Sequence, residues 1–232
     1  MKQSFAMKPV DNFGAAFAYA AMPARIALER GDWAAAVNLP LTPAADAYPW
    51  TKYPQAEAVN AFARGIGAAR TGNAAAAREQ QTRLVALREQ AKEANFTYWV
   101  EQIDIQAALV GAMALCAEDK AAECIDGLKA AATREDATEK HVVTRGPLVP
   151  ARELLAEMLL AQNKFTDALS EYEAVMVKEP NRYRTLAGAM TAAEGAGDQG
   201  KARAMAAELR KLGSDADSQR DSLQQAKQLA GG

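Results

Sequence analysis

Aromatic residues make up only 6% of this 232-residue chain, cysteine occurs twice, and histidine occurs once, at His141. A single histidine excludes a histidine-rich zinc site and a two-histidine acid–base pair within one chain. Two cysteines do not make a disulfide framework, and their spacing, Cys116 to Cys124, is not that of a C-x-x-C motif. With 27 basic and 29 acidic residues, net charge −2, the chain lacks the basic excess that phosphate backbones attract, so nucleic acid is not an expected partner. The longest apolar run, Ala107 to Ala117, is 11 residues long, against the roughly 20 that a membrane-spanning helix needs, so no membrane insertion is expected. There is no G-x-S-x-G or H-E-x-x-H string either. These absences leave no catalytic residue, no metal ligand set and no cofactor to assign.

What is present is alanine. Half the residues are apolar and about a quarter are alanine, which favours helix and lets helices approach closely. The composition predicts an all-α protein of helices packed on helices. The length suits an array of about five or six helical hairpins of roughly 34 to 45 residues each.

A repeat emerges in the last third. Asn163, Ala168, Tyr172 and Val175 return 34 positions later as Gly197, Ala202, Ala206 and Leu209. In the first copy Leu155, Ala156 and Leu159 line one helix, Ala168 and Tyr172 line the next, and Pro180 stops it. Small residues at the crossing let two antiparallel helices nest. Ala156, Asn163, Ala168, Tyr172 and Pro180 resemble the pattern of the tetratricopeptide family: small residue, turn glycine, alanine, aromatic, closing proline. The family's early tryptophan is replaced by Arg152 and its turn glycine by Asn163, which also tolerates a left-handed backbone. The resemblance implies an irregular, right-handed tetratricopeptide-like solenoid over residues 1–232, with its most regular repeats at 149–182 and 183–216.

The same turn signal recurs upstream as Gly31-Asp32, Gly72-Asn73 and, in degenerate form, Asp119-Lys120. The periodicity predicts helices over 12–30 with a break at Pro23, and over 33–38, 55–71, 73–94, 96–117, 120–133, 148–162, 165–178, 182–195, 198–211 and 217–229. Helix 73–94 has one apolar stripe, Ala77, Leu84, Leu87 and Ala91, opposite many charges. Helix 96–117 is apolar on two sides and should be the more buried. Cys116 and Cys124 lie equally far from Lys120 and should face each other across that turn, as a disulfide in an oxidising compartment or as two buried thiols.

Lys2 and Lys8 before the apolar stretch Phe13 to Met22 have the outline of a signal peptide. Asp11 and Asn12 interrupt it, and Pro23 to Leu28 continue the helical pattern, so a first helix is expected instead. The segments Ala27-Leu-Glu-Arg-Gly-Asp-Trp33, Glu135-Asp-Ala-Thr-Glu-Lys-His141 and Pro147-Leu-Val-Pro-Ala-Arg-Glu-Leu154 are similar to the C-terminal half of larger, uncharacterised bacterial tetratricopeptide proteins. That resemblance implies a fragment: cytoplasmic as the sequence stands, periplasmic if an export signal belongs to the missing half.

Residues Gly195-Ala-Gly-Asp-Gln-Gly-Lys-Ala202 hold a G-x-G-x-x-G string and all but the last position of a P-loop. Each motif needs a strand leading into the loop, and the P-loop also needs a hydroxyl for magnesium; here a helix precedes and Ala202 replaces the hydroxyl. No nucleotide site is expected.

Two connections are long for a solenoid, Pro40 to Pro54 and Arg134 to Pro150. Both carry apolar anchors, and ordered loops of this length are commonly functional. The first is too rich in proline for helix and holds Tyr48, Trp50 and Tyr53. The candidate partner-binding residues are therefore Trp50, Tyr53, Tyr98, Trp99, Glu139, His141 and Arg145, since aromatics with a polar tip are favoured anchors and core packing under a loop is the competing role. The expected function is a protein- or peptide-binding scaffold without catalytic activity. The alternative is an enzyme, small-ligand or metal-binding protein built on the loop around His141, with Trp50 and Trp99.

Overall fold

The computed structural model describes residues 8–139, 147–216 and 220–229. They form eleven α-helices and, among the described residues, no strand. The helices are α1 (Phe13–Arg30), α2 (Trp33–Val37), α3 (Pro54–Arg70), α4 (Ala74–Glu93), α5 (Thr97–Ala117), α6 (Ala121–Asp136), α7 (Ala151–Ala161), α8 (Phe165–Lys178), α9 (Tyr183–Gly195), α10 (Gln199–Leu212) and α11 (Asp221–Leu229).

One backbone device closes many of them. At Gly31, Gly72, Asp119, Asn163 and Gly197, the five turn positions read from the sequence, φ lies between 57° and 79°. At each, that residue's N–H and the next one's reach back to successive carbonyls: Gly31 to Leu28 and Asp32 to Ala27, Gly197 to Glu194 and Asp198 to Ala193, and likewise at the other three. This is the left-handed C-terminal cap that satisfies the last helical carbonyls. At three of the turns the following residue caps the next helix: the carboxylate of Asp32 accepts from Ala35 N–H, the amide oxygen of Asn73 from Ala76 N–H, and the carboxylate of Asp198 from Lys201 N–H. Asn95 makes a sixth such turn, with φ 58°, between α4 and α5.

The chain divides into two compact units, Met1–Gly127 and Leu128–Gly232. In the first, α3 packs on α1, α2, α4 and α5, and α4 packs on α5. The α2–α3 approach needs Gly67, where a Cβ would lie 2.7 Å from the backbone nitrogen of Val37. The buried residues of α4 are Ala77, Leu84, Leu87 and Ala91, the stripe read from the sequence. Helix α5 buries nine residues on more than one side, from Ile103 to Ala114. By length and composition α5 is long and apolar enough to cross a membrane, with mean hydropathy 1.3 over its most apolar 18-residue window, a feature a search for unbroken apolar runs does not reveal. Half of that window is buried in the protein. Cys116 and Cys124 are joined as a disulfide across the turn that ends α5, with Cα atoms 5.2 Å apart.

In the second unit, α8 packs on α7 and α9, α10 on α9 and α11, and α9 also meets α7 and α11. Leu186, Met190, Ala206, Leu209 and Ala226 form a core cluster there. The positions related by 34 residues are buried alike: Ala168 with Ala202, Tyr172 with Ala206, Val175 with Leu209.

Two local expectations are corrected. Pro23 does not break the first helix, which runs unbroken from Phe13 to Arg30. Proline removes one helical hydrogen bond, but Ala20, Ala21, Ala24, Ala27 and Leu28 are buried around it and hold the helix in place. The proline-rich connection is not devoid of helix either: Trp50–Lys52 form one 3-10 turn. Boundaries also shift at α7, which starts at Ala151 rather than 148, because Pro150 bars a helical conformation in the residue before it.

Candidate functional site

The starts of α1, α3 and α5 converge in the first unit. Asp11, just before α1, accepts hydrogen bonds from Lys52 Nζ at 2.6 Å and from the Tyr53 hydroxyl at 2.8 Å. These bonds hold the Asp11 carboxyl below the usual range. Burial, then the bond to Asp11, pushes the Tyr53 phenol up to about 12. Burial and the same carboxylate also raise Tyr48. The Tyr48 hydroxyl donates to Val10 O at 2.9 Å, and Trp50 Nε1 donates to Pro43 O at 2.9 Å. The Tyr48 ring lies 4.9 Å from Trp50, 5.6 Å from Tyr19 and 6.1 Å from Tyr53. Trp50 is 3% exposed. The connection 40–54 is therefore pinned to α1 and the residues just before it by rings, by hydrogen bonds and by the exposed Lys52–Asp11 ion pair. Beneath its outer edge lies an open cleft of about 560 Å³, with Tyr48, Pro49, Trp50 and Asp46 on one side and the Glu57–Arg83 pair on the other.

A second aromatic group stands beside it. Trp99 of α5 lies 5.6 Å from Phe13, 5.7 Å from Phe17 and 5.0 Å from Tyr98, and all four are half-buried. On α3 and α5 of the same unit, three glutamines have buried side-chain atoms that find no hydrogen-bond partner: Gln55 Oε1, Gln102 Nε2 and Gln106 Oε1. Leaving such an atom unmet costs about 1–3 kcal/mol, so three of them on adjoining helices are an unusual concentration.

The second unit carries an ionic network. Glu153 on α7 is fully buried. Its carboxylate accepts Arg182 Nε at 3.0 Å and Nη2 at 3.2 Å, lies 3.5 Å from Arg184 Nε, and also accepts the Thr185 hydroxyl. Arg184 pairs with Glu157, and Arg182 Nη2 donates to Leu148 O at 3.3 Å, which ties the segment before α7 to α9. Both oxygens of Glu153 are met, so its carboxylate reads as a structural anchor. Beside it, Glu135 Oε2 accepts the Ala151 N–H at 2.8 Å. Burial pushes the Glu135 carboxyl up to about 7, against the opposing effect of that hydrogen bond and with Asp136 and Glu179 adding to it. Burial would also raise Asp136, but hydrogen bonds from Lys178 and Arg152 outweigh it and hold that carboxyl low.

Of the residues singled out from the sequence, Trp50 and Tyr53 fall in the first aromatic group, Tyr98 and Trp99 in the second. Glu139 is exposed beyond the end of α6. His141 and Arg145 lie outside the described residues. Sequence reasoning missed Asp11, Phe13, Phe17, the three glutamines, and Glu153 with its arginines. Glu153 carries a legible signal, an acid set directly against the apolar run Leu154-Leu155-Ala156. The glutamines carry none, because amides are common on exposed faces. Lys201 forms an ion pair with Glu173 at 2.5 Å, and the glycine string around it forms the end of α9, a turn and the start of α10. Among the described residues no group of three or more His, Cys, Asp or Glu is placed to hold a metal ion. No family model, no curated protein and no solved structure matches this chain.

Proposed function

We propose that the chain is a repeat scaffold that binds a protein or peptide and has no catalytic activity of its own, built as an irregular, right-handed tetratricopeptide-like solenoid of antiparallel helical hairpins. The observation that carries this reading is the recurrence of one turn: six helices end on the same left-handed cap, and between the last two copies the positions 34 residues apart are buried alike. Chains built this way stack supersecondary units and present the first helix of each unit on a shared surface. In support, α3 meets α1 and α5 in one unit, and α9 meets α7 and α11 in the other, so alternate helices adjoin. Extended peptides are the usual guests of such surfaces.

The rival reading, a site joining the His141 loop to Trp50 and Trp99, gains nothing from the aromatics, since Trp50 stacks with Tyr48 and Trp99 with Phe13 and Phe17. The Cys116–Cys124 pair supports an oxidising compartment. Panning the intact chain against a phage-displayed library of random twelve-residue peptides tests the function. Enrichment of clones that bind it reversibly and saturably is the expected result. Failure to enrich any clone, over repeated rounds and at low salt, sinks the scaffold reading.

A further inference from the structure

We propose that Asn95, in the turn between α4 and α5, is a site of N-linked glycosylation that takes an oligosaccharide from a lipid-pyrophosphate donor. The inference goes beyond the scaffold reading and does not depend on it. It starts from the stretch Glu93-Ala-Asn-Phe-Thr97. An asparagine two residues before a threonine, with a residue other than proline between them, is the acceptor pattern for this modification. Glu93 also supplies the acidic residue, two places ahead of the asparagine, that a longer form of the pattern requires.

A pattern this short arises easily by chance, so its place in the fold has to single it out. Of the seven asparagines in the chain, only Asn95 has a serine or threonine two places on. Four of the others use their side chains within the fold. Asn12 and Asn73 cap helices, Asn38 Nδ2 donates to Ala34 O, and the Nδ2 of buried Asn60 reaches Leu39 O and Pro40 O. Asn95, Asn163 and Asn181 remain, all exposed and all at positive φ. Asn163 is a built-in comparison. Its φ is 57° against 58° at Asn95, and it closes its helix with the same pair of backbone hydrogen bonds, yet Phe165 stands where Asn95 has Thr97.

The turn offers the motif to solvent. Lys92, Glu93, Ala94, Asn95 and Thr97 are exposed, and Phe96 between the two acceptor residues is half-buried. Asn95 N–H donates to Lys92 O at 3.0 Å and Phe96 N–H to Ala91 O at 2.9 Å, so the backbone closes the turn without the asparagine amide or the threonine hydroxyl. Helix α5 starts with no side-chain cap, whereas Asp32, Asn73 and Asp198 serve as caps at the comparable turns. Sugar on Asn95 therefore displaces no packed atom and breaks no cap. In the transfer, Asn95 Nδ2 bonds to the anomeric carbon of the donor sugar as that carbon's bond to the pyrophosphate oxygen breaks. The lipid pyrophosphate leaves with the electron pair, one amide proton passes to a basic carboxylate of the transferase, and nothing is oxidised or reduced. N-linked transfer takes place in compartments where disulfides form, and Cys116–Cys124 is such a bond.

The test is peptide mapping by mass spectrometry of the intact chain and two variants, Thr97→Ala and Thr97→Ser, each purified from the cells in which the chain is naturally made. After reduction, trypsin releases residues 93–120 as one peptide, because no lysine or arginine lies between Lys92 and Lys120. The expected parent peptide is heavier by one oligosaccharide, and a peptide N-glycosidase removes the sugar and turns the Asn95 amide into a carboxylic acid. Thr97→Ala should lose the modification completely, and Thr97→Ser, which restores a hydroxyl, should keep it. Thr97 is exposed, so neither variant should melt below the parent. An unmodified parent peptide overturns the proposal. So does sugar attached to another residue, or a Thr97→Ala chain modified as fully as the parent. None of these outcomes bears on peptide binding, so the scaffold reading is tested separately.

Discussion

The segments that feed α3 and α7 are held by opposite means. Residues 40–54, leading into α3, are fixed by the Tyr48, Trp50 and Tyr53 rings and by hydrogen bonds from Trp50 Nε1 to Pro43 O and from Tyr48 to Val10 O, with an exposed Lys52–Asp11 ion pair beside them. Residues 147–150, leading into α7, are fixed through charge: Arg182 links Glu153 to Leu148 O, and Glu135 accepts the first N–H of α7. An aromatic fastening tolerates loss of one hydrogen bond, and its phenols stay neutral well above physiological pH because both Tyr48 and Tyr53 are pushed upward. A buried ionic fastening behaves otherwise. Its gain is modest while complete, and removal of one member strands the others.

Glu153→Ala is the sharpest way to break the contrast. It leaves Arg182 and Arg184, 10% and 12% exposed, without their central acid, and should cost about 3–5 kcal/mol in denaturant unfolding. A loss below about 1 kcal/mol would mean that water already reaches the cluster.

Trp50→Ala addresses the other side. Removing a buried indole and its bond to Pro43 should cost about 3 kcal/mol, with little change between pH 5 and pH 9. A pH-dependent loss over that range would show that a titrating group, not ring packing, carries the fastening; Asp11, held below the usual carboxylate range, stays ionised throughout it.

Next come the repeat positions common to both copies. Ala168 and Ala202 are fully buried, and leucine at either should overpack the crossing by about 1–3 kcal/mol. Equal melting of both variants with the parent would dissolve the 34-residue equivalence.

The last is the pH response of Glu135. Its carboxyl titrates near 7 in the folded chain against an ordinary 4.5, so the folded state binds the extra proton between those values. Stability is then full below about pH 4.5, declines as pH rises to about 7, and is level beyond. Glu135→Gln keeps an acceptor for the Ala151 N–H and should flatten that decline, as read from urea midpoints at pH 5, 6 and 7.5. An unchanged slope would assign the response to another group.

The helical architecture was legible because it is written in local signals. The positive-φ turns fall at glycine, asparagine and aspartate, the residues that tolerate that backbone, and the α4 stripe follows from its period alone. Asn95 and Asn181 also adopt positive φ but carry no matching signal, since neither precedes a run of small residues, as Gly31, Gly72 and Asp119 do, nor recurs at the 34-residue spacing of Asn163 and Gly197. The candidate surface was only partly legible. Trp99 stands out by type, but its partners Phe13 and Phe17 lie over eighty residues away, a contact that periodicity cannot supply. The glutamines became visible only once burial had removed their water. Likewise α5 shows no unbroken run of spanning length, because Glu101 and Asp104 interrupt it and are outweighed only in a window average.

The shared turn also makes the chain divisible. Asn163 and Gly197 close their helices with the same two backbone hydrogen bonds, and the residues between them amount to one period. Cutting after equivalent positions and rejoining would restore the same cap at the junction, with asparagine and glycine interchangeable there because both accept the left-handed backbone. Gain or loss of one 34-residue module would therefore leave no scar in the local geometry of the helix ends.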